Sequence, residues 1–173
     1  MKFDAQPILE GTHLRLRPLT PDDFDALYAF ASDRKLWEQH PNSDRWKKEI
    51  FELFFQKALK SESALVAELI DQQSLVACSR FYDIDQGSSK VAIGFTFIDR
   101  KYWGGDVNRE MKKLMLAHAF KSFENVVFHV GETNLRSRRA LEKIGARMVG
   151  IVSAPEVMAA QENRVLYHLA RPH

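Results

Sequence analysis

The chain has 173 residues, enough for one domain with one core, and folding at this length buries roughly 70% of the surface of the extended chain. Apolar residues make up 45% and charged residues 28%, a globular balance that argues against disorder. Lys+Arg number 25 against 23 Asp+Glu with no block of like charge, and no apolar run approaches ~18 residues, so neither a nucleic-acid arm nor a membrane span is expected. Cys78 is the only cysteine, which excludes an internal disulfide framework and a cysteine-rich zinc site; in Leu75-Val76-Ala77-Cys78 it reads as a small buried hydrophobe. MKFDAQPILEG lacks the apolar stretch of a signal peptide, and the expected location is the cytoplasm.

In chain order, His13-Leu14-Arg15-Leu16-Arg17 alternates and predicts a strand. Thr20-Pro21-Asp22-Asp23 opens a helix: Thr20 caps, Pro21 suits the first position, and the acids favour the positive end of the dipole. Its apolar face is Phe24, Leu27, Tyr28 and Ala31. Asn42-Ser43-Asp44 starts a second helix with the stripe Trp46, Ile50, Leu53, Phe54 and Leu59. Strands are predicted at 64–70, 75–82 and 91–98, joined by turns at Asp71-Gln72-Gln73 and at 85–90. A third helix covers about 108–120, a buried strand 126–130, and a fourth helix 134–144 that Gly145 stops. Strands at 147–153 and 164–170 close the chain. The order β-α-α-β-β-β-α-β-α-β-β predicts a single α/β (α+β) domain over 1–173: a mixed, mostly antiparallel sheet of about seven strands flanked by about four helices.

The stretch IGFTFIDRKYWGGDVNREMKKLMLAHAF, residues 93–120, carries the chemistry. A strand feeding a helix through glycines builds an anion site, because the first helical N–H groups lack partners and carry about half a positive charge. A plain tight turn would look the same in isolation. The second stretch, FHVGETNLRSRRALEKIGARMVG, residues 128–150, gives a helix capped by Asn134 with Leu135, Ala140, Leu141 and Ile144 on its buried stripe.

Together the two stretches resemble the GNAT acetyltransferase superfamily, and within it the branch of ribosomal-protein N-terminal (alanine/serine) acetyltransferases. LRLRPLTPDDFDALY is similar to that branch's opening strand and helix, YWGGDVNREMKKLML to its pyrophosphate loop and helix, and NLRSRRALEKIG to its Asn-x-x-Ser helix. The resemblance spans residues ~9–170. It implies acetyl-CoA as co-substrate, with pyrophosphate on the N–H groups of Gly104, Gly105, Val107 and Asn108. It lays pantetheine along Phe97–Ile98 and turns Asn134 and Ser137 toward the thioester. It also makes the N–H near Ile98 the oxyanion donor.

Two departures stand out. Where the superfamily loop reads Arg/Gln-x-x-Gly-x-Gly/Ala, this chain has Lys101-Tyr102-Trp103-Gly104-Gly105-Asp106, and Asp106 brings a negative charge that must turn outward or compete for the amides. Leu141 stands where many members carry the tyrosine that protonates the thiolate; that role is vacant here or falls to Ser137 or water.

Direct transfer needs a neutral amine and a route for its proton. No carboxylate pair identifies a base, and no metal-spaced histidine cluster calls for a metal. His13, His118, His129, His168 and His173 read as structural. Glu38 and His40, in Leu36-Trp37-Glu38-Gln39-His40-Pro41, are the better catalytic candidates beside Ser137, since the family roofs its acceptor site with this connection. Trp37, Tyr82 and Asp83 are candidates for binding the acceptor. An α-amine titrates near ~7.7–8.0 and a lysine near ~10.4, so without a strong base an α-amine is the easier acceptor. The expected activity is acetyl-CoA-dependent acetylation of an amine, protein N-terminus or small molecule; the alternative is a non-catalytic acyl-CoA-binding module. Oligomeric state stays open, a homodimer being one option.

Overall fold

Leu14 and Leu16 are buried while Arg15 and Arg17, which alternate with them, reach solvent, the two-residue period expected of a half-buried strand. That strand belongs to an eight-stranded sheet in the computed structural model, which describes residues 2–172. Its strands are β1 (Leu9–Glu10), β2 (Leu14–Pro18), β3 (Ala64–Leu69), β4 (Ser74–Asp85), β5 (Lys90–Ile98), β6 (Asn125–Gly131), β7 (Arg147–Val152) and β8 (Arg164–Ala170). They lie in the order β1-β2-β3-β4-β5-β6-β8-β7. Every neighbouring pair is antiparallel except β5 and β6, which are parallel. A parallel pair needs a crossover, and α3 (Val107–Ala119) supplies it. The mixed sheet matches expectation, with one strand more: β1 has two residues, too few for a periodic signal.

Alternate residues of the central strands β3, β4 and β5 feed a core on either face of the sheet. Leu65, Ala67, Ala77 and Ile93 join Met111 and Met115 of α3 and Leu141 of α4 (Leu135–Lys143). Ala64, Val66, Cys78 and Phe97 join Leu27 of α1 (Phe24–Ala31) and Phe51 and Phe55 of α2 (Lys48–Lys60). Cys78 is a core residue as expected, and burial pushes its thiol up to about 12.

Two helices start differently from expectation. Residues Pro21–Asp23 form a 3-10 turn before α1, where Asp23 accepts from Thr20 N–H at 2.8 Å and pairs with Arg17 at 2.8 Å. The second helix begins at Lys48 rather than near Asn42, leaving Trp46 outside it. Its core face is Phe51, Phe55 and Ala58, while Leu53 is exposed. Phe51 wins because Phe24, Tyr28 and Phe97 all lie within 5.8 Å of its ring centroid.

Candidate active site

β5 and β6 pair over only three positions, Lys90↔Asn125, Val91↔Val126 and Ala92↔Val127, and then part. A bulge drives β5 away: its register with β4 slips between Cys78 and Arg80, and Phe95 adopts φ +54. A bulky residue in that region costs on the order of 1–3 kcal/mol, strain of the kind that gathers at functional sites. Beneath the bulge the buried Lys112 of α3 donates to Thr96 Oγ1 at 2.6 Å and Ser79 Oγ at 3.4 Å. Asp99 N–H donates to Val76 O at 2.9 Å, so antiparallel alternation turns the N–H and C=O of Ile98 away from β4, into the gap. Trp103 Nε1–H occupies the Ile98 carbonyl at 3.0 Å. The Ile98 N–H stays open on that edge, while Phe97 turns its ring into the aromatic core of α2.

At the mouth of the gap, the chain turns through Arg100–Tyr102 and Gly104 into α3. Gly104 has φ +74, a conformation that a side chain would strain although open space surrounds it. Among the described residues no protein acceptor meets the N–H groups of Gly104, Asp106, Val107, Asn108 or Arg109. The Gly105 N–H is occupied instead, donating to Tyr102 O at 3.3 Å. Asp106 does not cap the helix; its carboxylate turns outward to Arg109, leaving the amides free.

The first turn of α4 meets this loop through Arg136 and Trp103. Asn134 is buried, and its side-chain oxygen accepts from Ser137 N–H at 3.3 Å, the expected cap. Ser137 is half-buried. Leu141 lies in the core and offers no proton donor. Arg136 reaches across the gap, its guanidinium 3.6 Å from the centre of the Trp103 ring, and donates to Leu36 O at 3.3 Å. Its backbone N–H takes Gln39 Oε1 at 3.2 Å, so the connection between α1 and α2 is tied to α4, over the site.

On the α2 face of the sheet the candidates separate. Trp37 is 1% exposed and donates to Ala31 O at 2.7 Å; it is a core anchor. His40 Nδ1 accepts from Asn42 N–H at 2.9 Å, which puts the neutral ring's proton on Nε2, 3.5 Å from Arg45. Burial, then Arg45, Arg164 and Arg136, hold His40 well below the usual histidine range, and the geometry leaves it no lone pair for an amine. Glu38 is exposed on the same connection. Tyr82 is buried, and its ring crosses β5 directly above Gly94, where an added Cβ would meet it at 2.9 Å. Its hydroxyl reaches His129 Nδ1 on β6 at 2.7 Å. Burial raises the Tyr82 phenol and lowers His129, with Asp83 acting against the latter shift; Asp83 itself is exposed at φ +45. Sequence reading set His129 aside as structural. Its partner on β4 lies 47 residues away, a separation no local spacing reveals.

The acetyltransferase (GNAT) domain family model matches residues 13–147, and the chain belongs to this family of acetyl-CoA-dependent acetyltransferases. A comparison with curated proteins finds no match. Among solved structures, a GCN5-related N-acetyltransferase from Brucella melitensis superposes with TM-score 0.82 at 20% identity, covering 95% of this chain and 79% of that one. RimJ from Mycobacterium smegmatis, in complex with CoA-disulfide, gives 0.69 at 18% identity over 91% of this chain and 81% of its own. The ribosomal-protein-S5-alanine acetyltransferase from Vibrio fischeri gives 0.69 at 13% over 95% and 97%. The expected resemblance to ribosomal-protein acetyltransferases is thus met at the level of fold. Among the described residues no helix is long and apolar enough to cross a membrane, and no His/Cys/Asp/Glu group is arranged to hold a metal.

Proposed function

We propose that this protein transfers the acetyl group of acetyl-CoA to an amine by direct attack, within the gap between β5 and β6. One observation carries the reading: five main-chain N–H groups at Gly104 and Asp106–Arg109 stand without protein acceptors at the gap's mouth. Such amides at a helix start fit a diphosphate, and Gly104, Asp106, Val107, Asn108 and Arg109 would hold it. Gly105 would then serve the turn. When bound, acetyl-CoA supplies a thioester open to attack by a neutral amine. Ile98 N–H is placed to donate where negative charge develops on the carbonyl oxygen. Asn134 fixes the first turn of α4, and the Ser137 hydroxyl is the donor available to the departing sulfur.

For the amine's proton, the pair Tyr82–His129 offers a route. The phenol oxygen accepts while its own proton passes to His129 Nδ1, and burial keeps that imidazole neutral at pH 7. Glu38 and His40 have no proton role in this reading, and Trp37 supports the site from the core. Asp83 acts as the carboxylate that favours a charged His129. The acceptor is an amine of low pKa, with the α-amine of a peptide or small molecule preferred. A cytoplasmic setting follows from the resemblance to ribosomal-protein acetyltransferases.

Release of free thiol from acetyl-CoA, followed with a panel of amines and N-terminal peptides, tests the reading. Turnover with any acceptor supports it. Thermal protection by coenzyme A without turnover supports the alternative, an acyl-CoA-binding module.

A further inference from the structure

Three arginines meet on the α2 face beside Tyr82, and each is more than nine-tenths buried. Arg45, from the connection between α1 and α2, is 5% exposed; Arg80 of β4 is 4% exposed; Arg164, the first residue of β8, is 2% exposed. They share one environment: Arg45 stacks on Phe54 and Arg80 on Phe95, those two rings lie 6.4 Å apart, Phe95 packs edge-on against Tyr82 at 5.2 Å, and Arg164 stands opposite Gly131, two residues past His129 on β6. Arg45 is pushed down to about 9, by burial first and then by Arg80.

None of the three has a carboxylate within ion-pair distance among the described residues, unlike Arg17, Arg100, Arg109 and Arg171. The acids that act on this group, Asp44 on Arg45, Glu162 on Arg164 and Asp83 on Tyr82, are all exposed. Among the described residues Arg80 Nε is buried with no hydrogen-bond partner, while its Nη1 donates to Lys57 O at 3.4 Å. Its guanidinium lies 3.5 Å from the centre of the Phe95 ring, and that of Arg45 lies 4.2 Å from Phe54. Arg164 is held by the carbonyls of Ala160, Glu162 and Asn163.

Aromatic faces and carbonyls hold these cations in place without neutralising them. Buried positive charge without a counter-ion is destabilising, and stacked guanidinium groups suit carboxylate and phosphate oxygens. An anion arriving with the acceptor relieves both conditions at once. We infer that the acceptor amine carries an anionic group, carboxylate or phosphoryl, which Arg45, Arg80 and Arg164 take up beside the Tyr82–His129 pair. The inference rests on the acyl-transfer reading for what the anion is attached to, though not for the anion site itself.

Two measurements keep the questions apart. First, binding of inorganic phosphate and of glutarate is followed by calorimetry at constant ionic strength, with coenzyme A saturating so that its own phosphate site is filled. The unsubstituted protein should bind at least one of the two, and Arg80→Met and Arg45→Met should each weaken it at least tenfold. Preference between the two probes identifies phosphoryl or carboxylate as the group. Methionine fills most of the arginine stem and is neutral, so both variants should fold, which a melting curve checks. Second, turnover is compared within matched pairs: phosphoethanolamine with ethanolamine, β-alanine with its amide, and a peptide with Asp at the second position with its Asn counterpart. The charged member should lead by at least tenfold in kcat/KM in one pair, and Arg80→Met should erase that lead. Anion binding without any turnover upholds the anion site and sinks the acyl-transfer reading. No anion binding, unchanged binding in both variants, or faster turnover of the neutral members overturns the inference.

Discussion

Replacing Lys112 by methionine removes an amine that the fold buries without a counter-ion. Among the described residues its Nζ meets only the hydroxyls of Thr96 and Ser79, and burial brings its pKa down from 10.5 to about 7. An unfolded lysine keeps its proton up to about pH 10.4. Between those values the unfolded chain binds one proton more than the folded one, so the free energy of unfolding rises with pH across this window. The penalty is fully present below pH 7 and gone above pH 10.4. At about 1.4 kcal/mol per pH unit, the parent gains about 3 to 4 kcal/mol between pH 7 and pH 10 relative to the methionine variant. Thr96 and Ser79 still bond each other at 2.8 Å, so the substitution strands neither hydroxyl. Urea unfolding of both proteins at half-unit steps from pH 6 to 10 measures the difference. Parallel stability curves would refute the reasoning, since they would mean that Lys112 keeps an ordinary pKa in the fold.

Three further outcomes are expected. Gly104→Val should cost about 1 kcal/mol of stability through its left-handed φ and weaken coenzyme A at least fivefold by calorimetry, while Gly105→Ala, whose φ is negative and whose new Cβ meets Tyr102 O at 3.4 Å, should fold unchanged. Ser137→Ala should lower kcat with little change in coenzyme A affinity; an equal loss in both would leave Ser137 as a binding residue only. Tyr82→Phe should reduce kcat by roughly 10²-fold and leave coenzyme A binding intact, and kcat/KM in the parent, expressed per neutral amine, should level off below the ordinary histidine pKa of about 6.5 because burial lowers His129. An unaltered rate in Tyr82→Phe would remove the proton route.

The sheet and its flanking helices were legible because periodicity and capping are local. Leu14 and Leu16 alternate with arginines, Asn134 caps α4, and each lies within a window of a few residues. The start of α2 is not legible because Asn42-Ser43-Asp44 has the composition of a cap, while two apolar stripes, one through Ile50, Leu53 and Phe54 and one through Phe51 and Phe55, compete in the segment that follows. Tertiary aromatic partners decide between them, and no single window contains those partners. The phosphate loop was legible in outline, and only three-dimensional structure shows Gly105 bonded to Tyr102, Asp106 turned to Arg109, and Trp103 on the Ile98 carbonyl. The Tyr82–His129 pair and the arginine trio lay beyond sequence reading altogether. Their members come from β4, β6, β8 and an interhelical connection, so their meeting depends on strand order rather than spacing.

The brief pairing of β5 with β6 makes the sheet two leaves, five strands against three, joined by a seam three residue pairs long. Opening fluctuations will concentrate along that seam, since few main-chain bonds resist it there. In the proposed reading the co-substrate would lie in this seam, touch both leaves and act as a rivet. Occupancy then tightens the whole sheet, and amide exchange in β6 should slow when coenzyme A is bound even at positions that never touch it.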